Sequence, residues 1–279
     1  VGVGYLAGVL LGRYTVVTDI QNQRGTRKID IDKVGVKGIR YPIVVFDKVN
    51  GKQHTIASIN MYVDLPHRFK GTHMSRFVEI LNEYHREIGI RNFNAILDKM
   101  KQRLSARSAH IEIEFPYFIN KRAPVSGEHG LMEYLCHYVG YSGTKKEFIV
   151  GIKVPVTTLC PCSKEIADFG AHNQRSYVNV LVLYKKFFWI EDIIAIVEEC
   201  ASADIYSLLK RSDEKWLTEH AYEHPMFVED MVREVASRLM DLGLFDWFIV
   251  ESENIESIHN HSAYALIEWG DRPESLITS

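Results

Sequence analysis

The stretch LCPCSKEIADFGAHNQR, Leu159 to Arg175, places Cys160 and Cys162 one residue apart and His172 ten positions beyond the second thiol. Structural zinc sites draw four ligands in pairs such as C-x2-C and are closed to solvent; this sequence has no such pair. One thiolate and one imidazole, joined by a distant acid, instead make a three-ligand set that leaves a metal position open for water. The other thiol is then free to move protons, and a neighbouring cation lowers a cysteine from its ordinary pKa of about 8.5. Pro161 between the thiols fixes the local backbone. The competing reading is a pair of small buried cysteines beside a helix-capping histidine.

Other residues carry weaker signals. Glu214, in RSDEKWLTE, reads first as a solvated surface acid. Glu229 falls in the first turn of a helix opened by Pro225, where a carboxylate complements the helix dipole. His259 and His261, in IESIHNHSAYA, alternate about an asparagine at the start of a strand, which turns one toward a site and the other toward solvent. The run DLPHRFKGTHMSRF combines Arg68, Lys70, His73 and Arg76 with Gly71 and an expected N-cap, Ser75. Cations, a glycine and a helix N-terminus suit phosphate; a solvated turn that starts a helix accounts for the same residues.

The elements that must hold these groups follow from periodicity. Gly38 to Leu65 alternates as strands and is broken by Asn50-Gly51, the dipeptide of a type I′ hairpin. Phe77, Ile80, Leu81, Tyr84 and Ile88 share one helical face, and Phe93, Ile96, Leu97, Met100 and Leu104 another. Strands are expected over 108–119, 147–159 and 176–184, with a weaker one at 131–139. Ile193, Ile194, Val197, Cys200 and Ala201 mark a helix, as do Val228, Met231, Val232, Val235 and Leu239, and strands at 245–250 and 263–269 close the chain. Strands, helices and strands thus occur twice. The expected fold is α+β, two halves of antiparallel sheet with helices on one face, joined near residue 150 and packed as one body.

The 279 residues are 46% hydrophobic and 25% charged, enough for a sizeable core. A net charge of −3 gives no overall footprint for nucleic acid or an anionic membrane. Four cysteines, Cys136, Cys160, Cys162 and Cys200, do not form a secreted disulfide framework, so a reducing cytoplasm is expected. The apolar opening VGVGYLAGVLLG, 12 residues long, lacks a basic leader and is shorter than a bilayer span. It is read as a strand or loosely attached arm over residues 1–18, with a truncated signal segment as the alternative.

GVKGIRYPI, NMYVDLPHRFKGTHMSRF, PVTTLCPCSKEIADFGAHNQRS and IESIHNHSAYA together resemble type IB GTP cyclohydrolase I, a bacterial enzyme at the head of tetrahydrofolate synthesis. The similarity runs from about Asp19 to Gly270. It implies tandem tunnelling-fold (T-fold) units, 19–150 and 151–279, in a homotetramer with sites at subunit interfaces. The implied substrate is GTP, and the products are formate and 7,8-dihydroneopterin triphosphate. The resemblance implies one divalent ion per site, manganese, zinc or iron, on Cys160, His172 and Glu214. It further implies active-site roles for Cys162 and His259 and a guanine-anchoring role for Glu229. Lys70, Arg76 and Lys164 are the expected triphosphate contacts. An archaeal-type enzyme forming a cyclic phosphate of dihydroneopterin, and a purine- or pterin-binding protein without catalysis, are the alternatives.

Overall fold

In the computed structural model, which describes residues 27–84, 88 and 92–276, nine strands make one antiparallel sheet among the described residues. The expected arm over residues 1–18 lies outside them. The first half runs β1 (Ile31–Asp47), β2 (Gly51–Leu65), α1 (Met74–Tyr84), α2 (Phe93–Leu104), β3 (Ala109–Arg122) and β4 (His129–Ser142). The second repeats that order with additions: β5 (Lys146–Leu159), α3 (Pro161–Ile166), β6 (Asn173–Leu183), α4 (Ile190–Cys200), β7 (Ala203–Asp204), α5 (Arg211–Glu223), α6 (Val228–Leu242), β8 (Trp247–Ile255) and β9 (Ser262–Gly270). Neighbours across the sheet follow chain order from β1 to β6, then β8 and β9, with β7 pairing β5. Residue 150 lies inside β5, and the order of elements restarts at the turn 143–145 before it.

Helices α1, α2, α4 and α6 lay apolar stripes on one face of the sheet. Phe77, Ile80 and Leu81, then Phe93, Ile96 and Leu97, then Ile193 and Val197, then Met231, Val235 and Leu239 join the sheet residues in a single core that spans both halves. Each such side chain fully buried is worth about 1.5–3 kcal/mol. A polar contact also crosses the halves. Lys121 of β3 lies 2.6 Å from Glu198 of α4 and 2.9 Å from Asp204 of β7, and Tyr134 donates to Glu198 at 2.7 Å.

Three local expectations differ from the structure, and one helix was not expected. Asp47 pairs with Gly51, so the first hairpin has a three-residue loop with Gly51 left-handed at φ 78°, in place of a type I′ turn. The Asp47 carboxylate sets this by accepting from the amides of Val49 and Asn50. Ser75 lies inside the first turn of α1, not ahead of it. The last helix starts at Val228 rather than Pro225, because the Met226 amide donates to Leu159 of β5 and holds that segment extended. Helix α5 has only Asp213 and Ala221 buried, so it carries no apolar stripe for periodicity to find.

Candidate active site

Cys160 follows Leu159, the last residue of β5, and is the N-cap of α3, its sulfur accepting from the Ser163 amide at 3.5 Å. Pro161 takes the first helical position, where no amide proton is needed. Ser163 ties the loop together: its hydroxyl donates to the Cys160 carbonyl at 3.0 Å and accepts from the His172 amide at 3.2 Å. The Cys160 amide then donates to the His172 carbonyl at 3.1 Å, closing the connection. Gly170, at φ 71°, makes the left-handed step that brings the chain back.

Both side chains open on one cavity of about 260 Å³. Its other walls come from Gln174 of β6, Phe227 and Glu229 at the start of α6, Asn254 and Glu256 at the end of β8, and His259 and His261. Register explains this gathering. Leu159 faces Asn173 and Ser176 faces Asn254, so the end of β5, the start of β6 and the end of β8 lie side by side. The bond from the Met226 amide to Leu159 places the first turn of α6 against them.

His172 is held from one side. Its Nδ1 lies 3.0 Å from Gln174 Oε1, 3.3 Å from Ser257 Oγ and 4.0 Å from Glu256 Oε2. Gln174, itself buried, donates through Nε2 to Thr158 at 2.9 Å, and Thr158 meets Ser176 at 2.7 Å. With Oε1 accepting, the imidazole proton sits on Nδ1 and Nε2 is left bare as a base or ligand.

Of the residues singled out in the sequence, Cys160, His172, Glu229, His259 and His261 meet here. Cys162 is exposed on α3 and does not line the cavity. Glu214 is exposed on α5, eight residues before Tyr222. Lys164 donates to the Tyr222 carbonyl at 2.5 Å, so α3 touches the far end of that helix, and Glu214 stands about 12 Å further along its axis. The buried acid of this segment is its neighbour Asp213, which accepts from the amides of Val125, Ser126 and Lys210 and from the Ser126 hydroxyl. Burial alone would raise the Asp213 pKa, but these bonds outweigh it and hold the carboxyl well below the usual range.

The three expected phosphate contacts lie outside the cavity. Lys164 is bound to Tyr222, Arg76 donates to the Arg103 carbonyl at 2.9 Å, and Lys70 is exposed in the connection after β2. His259 and His261 do not divide between site and solvent. They precede β9 in a bend, where strand alternation does not apply, and their rings stack 5.1 Å apart at 15°. Among the polar lining residues, Gln174, Asn254 and Glu256 are the ones that sequence reasoning did not single out. Glu256 stands in the same IESIHNHSAYA string as His259 and His261, and that clustering was the available signal.

A thiolate, an imidazole and a carboxylate opening on one cavity form a donor set suited to zinc, iron or manganese. Among the described residues no three such side chains already stand around one point at ligating distance.

An antiparallel sheet with its helices packed on one side and ββααββ order twice over is the tunnelling fold. The structure superposes on a hyperthermostable mutant of Bacillus sp. TB-90 urate oxidase with a TM-score of 0.50 at 10% identity, covering 86% of this chain and 98% of that one. In sequence, the profile described as Type I GTP cyclohydrolase folE2 matches residues 17–265, so the chain belongs to that family. It is 63% identical over 251 residues to a GTP cyclohydrolase FolE2 of Syntrophus aciditrophicus, covering 90% of this chain and 98% of that protein. With a GTP cyclohydrolase FolE2 of Geotalea uraniireducens it shares 60% identity over 260 residues, 93% of this chain and 96% of that one.

Proposed function

We propose that the chain catalyses the type IB GTP cyclohydrolase I reaction, GTP and water giving 7,8-dihydroneopterin triphosphate and formate. The observation that carries this reading is the one cavity on which Cys160, His172, Glu229 and His259 all open. Cys160 and His172 would hold one divalent ion; Glu256, 4.0 Å from His172, is the acid of the same chain within reach of it, whereas Glu214 would join the set only from a neighbouring subunit. Such an ion supplies Lewis-acid polarisation and a water acidic enough to be nucleophilic at neutral pH.

The remaining work falls to side chains. Glu229 accepts hydrogen bonds from N1–H and the exocyclic amino group of guanine, a pattern adenine cannot present, and an acceptor left without its donors is costly. His259, with His261 stacked on it, stands in reach of the same space and transfers protons as water adds at C8 and the imidazole ring of the base opens. Cys162 is the second proton carrier. It is exposed on α3 outside the cavity of its own chain, so in this reading it acts from the rim.

The reading includes a homotetramer with sites between subunits. The cavity of one chain, about 260 Å³, falls short of the roughly 300–1,000 Å³ typical of ligand pockets, and Glu229, His259 and His261 are exposed on its rim. A second copy would supply the missing wall. The two ββααββ runs are then the tandem T-fold units.

The test is product analysis by mass spectrometry after anaerobic incubation of GTP with protein and manganese, iron or zinc. Formate with dihydroneopterin triphosphate supports the assignment. A cyclic phosphate of dihydroneopterin would move the chain to the archaeal-type reaction, and tight GTP binding without formate would make it a binding protein.

A further inference from the structure

Helix α5 ends in the string HAYEH, which sets His220 and His224 four residues apart with Glu223 between them. Residues four apart lie above one another on a helix, and this spacing is how helices of metalloproteases present two imidazoles to one zinc ion. The function proposed above uses neither histidine.

Both rings stand on one flank of the last turn, their centroids 4.2 Å apart at 34°. Two nitrogens held by one tetrahedral zinc at about 2.0–2.1 Å lie roughly 3.4 Å from each other, so rings this close reach a common ion by rotating about their side-chain bonds. Trp216, one turn earlier, stacks on His220 at 4.6 Å and 9° and supports that ring from the other side.

The hydrogen bonding suits a metal as well. Nδ1 of His224 lies 2.8 Å from the His220 carbonyl oxygen, which can only accept. The proton of the neutral imidazole therefore sits on Nδ1 and leaves Nε2 bare, as where a backbone carbonyl orients a ligating histidine. The ring of His220 makes no hydrogen bond among the described residues.

The surroundings are negative. The C-terminal end of a helix carries about half a negative charge on its unpaired carbonyls. Glu223 and His224 border a cavity lined by residues of α4, α5 and α6, apart from the one that holds Cys160 and His172. Four carboxylates, Glu199, Glu223, Asp230 and Glu234, border it against two arginines. Both arginines are engaged, Arg233 with Asp230 at 3.0 Å and Arg238 with Glu199 at 2.8 Å. Glu223 is left without a cation among the described residues.

We infer that His220 and His224 form a second metal site, a two-imidazole chelate for zinc or a similar divalent ion such as nickel or copper, which imidazole nitrogens suit. Among the described residues no third ligand stands at ligating distance, so water completes the set and Glu223 contributes charge. With two neutral ligands and no thiolate it is the weaker site, filling only after the Cys160–His172 position. His224 is ten residues beyond Glu214, about 15 Å along the helix, so that acid lies outside it. The inference does not depend on the proposed GTP chemistry, since binding alone reads it out.

Titration calorimetry of the full chain with zinc chloride tests it. Wild type should show a weaker site beyond the first equivalent, one per chain and emptied by desalting. His220→Ala and His224→Ala should each weaken that site about tenfold or more, because losing either imidazole turns a chelate into a single ligand. The double variant should be no weaker than either single one, and Cys160→Ala should keep the site. His224 is exposed, so its variant carries the test even where His220→Ala, which loses the Trp216 stack, folds poorly. Absence of a site that responds to these substitutions would overturn the inference. Single variants that each keep half of the weakly bound zinc would also overturn it, by showing two independent histidines. Loss of the site in Cys160→Ala would do the same, by merging it with the first cavity.

Discussion

The amide of Cys160 donates to the carbonyl of His172 at 3.1 Å, so the chain from Cys160 to His172 is closed into a loop whose two ends each present a metal-competent side chain to one cavity. The pairing is made by backbone at the mouth of the β5–β6 hairpin. The thiol and the imidazole are therefore positioned by sheet register and not by a flexible loop, as a preorganised site requires.

Gln174 fixes which nitrogen of His172 is free. Replacing it with Leu should weaken metal binding about 10–100-fold, the usual cost of losing the outer partner of a ligating histidine. Gln174→Glu, which can only accept, should restore most of the affinity. Competition against a chelator gives the numbers, and a Gln174→Glu protein no better than Gln174→Leu would show that the imidazole carries its proton on the other nitrogen.

Glu229, at the start of α6, lines the cavity and is the proposed anchor for guanine. Glu229→Gln should lower kcat/KM for GTP by about 10–100-fold, the range for one hydrogen bond to a charged group, and narrow the preference over ATP. Steady-state formate assays with both nucleotides measure this. Unchanged discrimination would remove Glu229 from that role.

Much of this arrangement was legible in the chain. The apolar periodicities of Phe77–Leu81, Phe93–Met100 and Met231–Leu239 became the helices that cover the sheet, because there burial and pattern carry the same information. Helix α5 was not legible. It docks through the three hydrogen bonds that Asp213 accepts from Val125 and Ser126 and has no stripe to read. The site was legible where chemistry-bearing residues are clustered along the sequence, as with Cys160, His172 and His259. Gln174 and Asn254 join the cavity only through strand register, which a single sequence does not display.

Asp213 gives a pH prediction. Its carboxyl is held below the ordinary range in the folded chain, so it contributes stability above the unfolded carboxylate pKa of about 3.9 and loses it as pH falls toward the folded value. Asp213→Asn should melt lower than wild type at neutral pH, and the gap should narrow as pH falls below about 4, with part of it still present at about pH 2. Thermal midpoints across that range check it. A difference independent of pH would mean that shape, not charge, is what Asp213 contributes.

Gly140 of β4 leaves room for Phe93 of α2, since a Cβ there would stand 2.1 Å from the ring. Phe93 is 1% exposed and has nowhere to move. Gly140→Ala should cost about 1–3 kcal/mol by overpacking. Urea unfolding measures it, and a midpoint equal to wild type would show that the core beneath α2 yields.

The most direct measurement of the central claim is metal content and formate release, taken together, for metal-free wild-type and Cys160→Ala protein after anaerobic return of manganese, iron or zinc. The account predicts one ion per chain and metal-dependent formate for wild type, with both lost in the variant. Full metal content and undiminished formate in Cys160→Ala would contradict it.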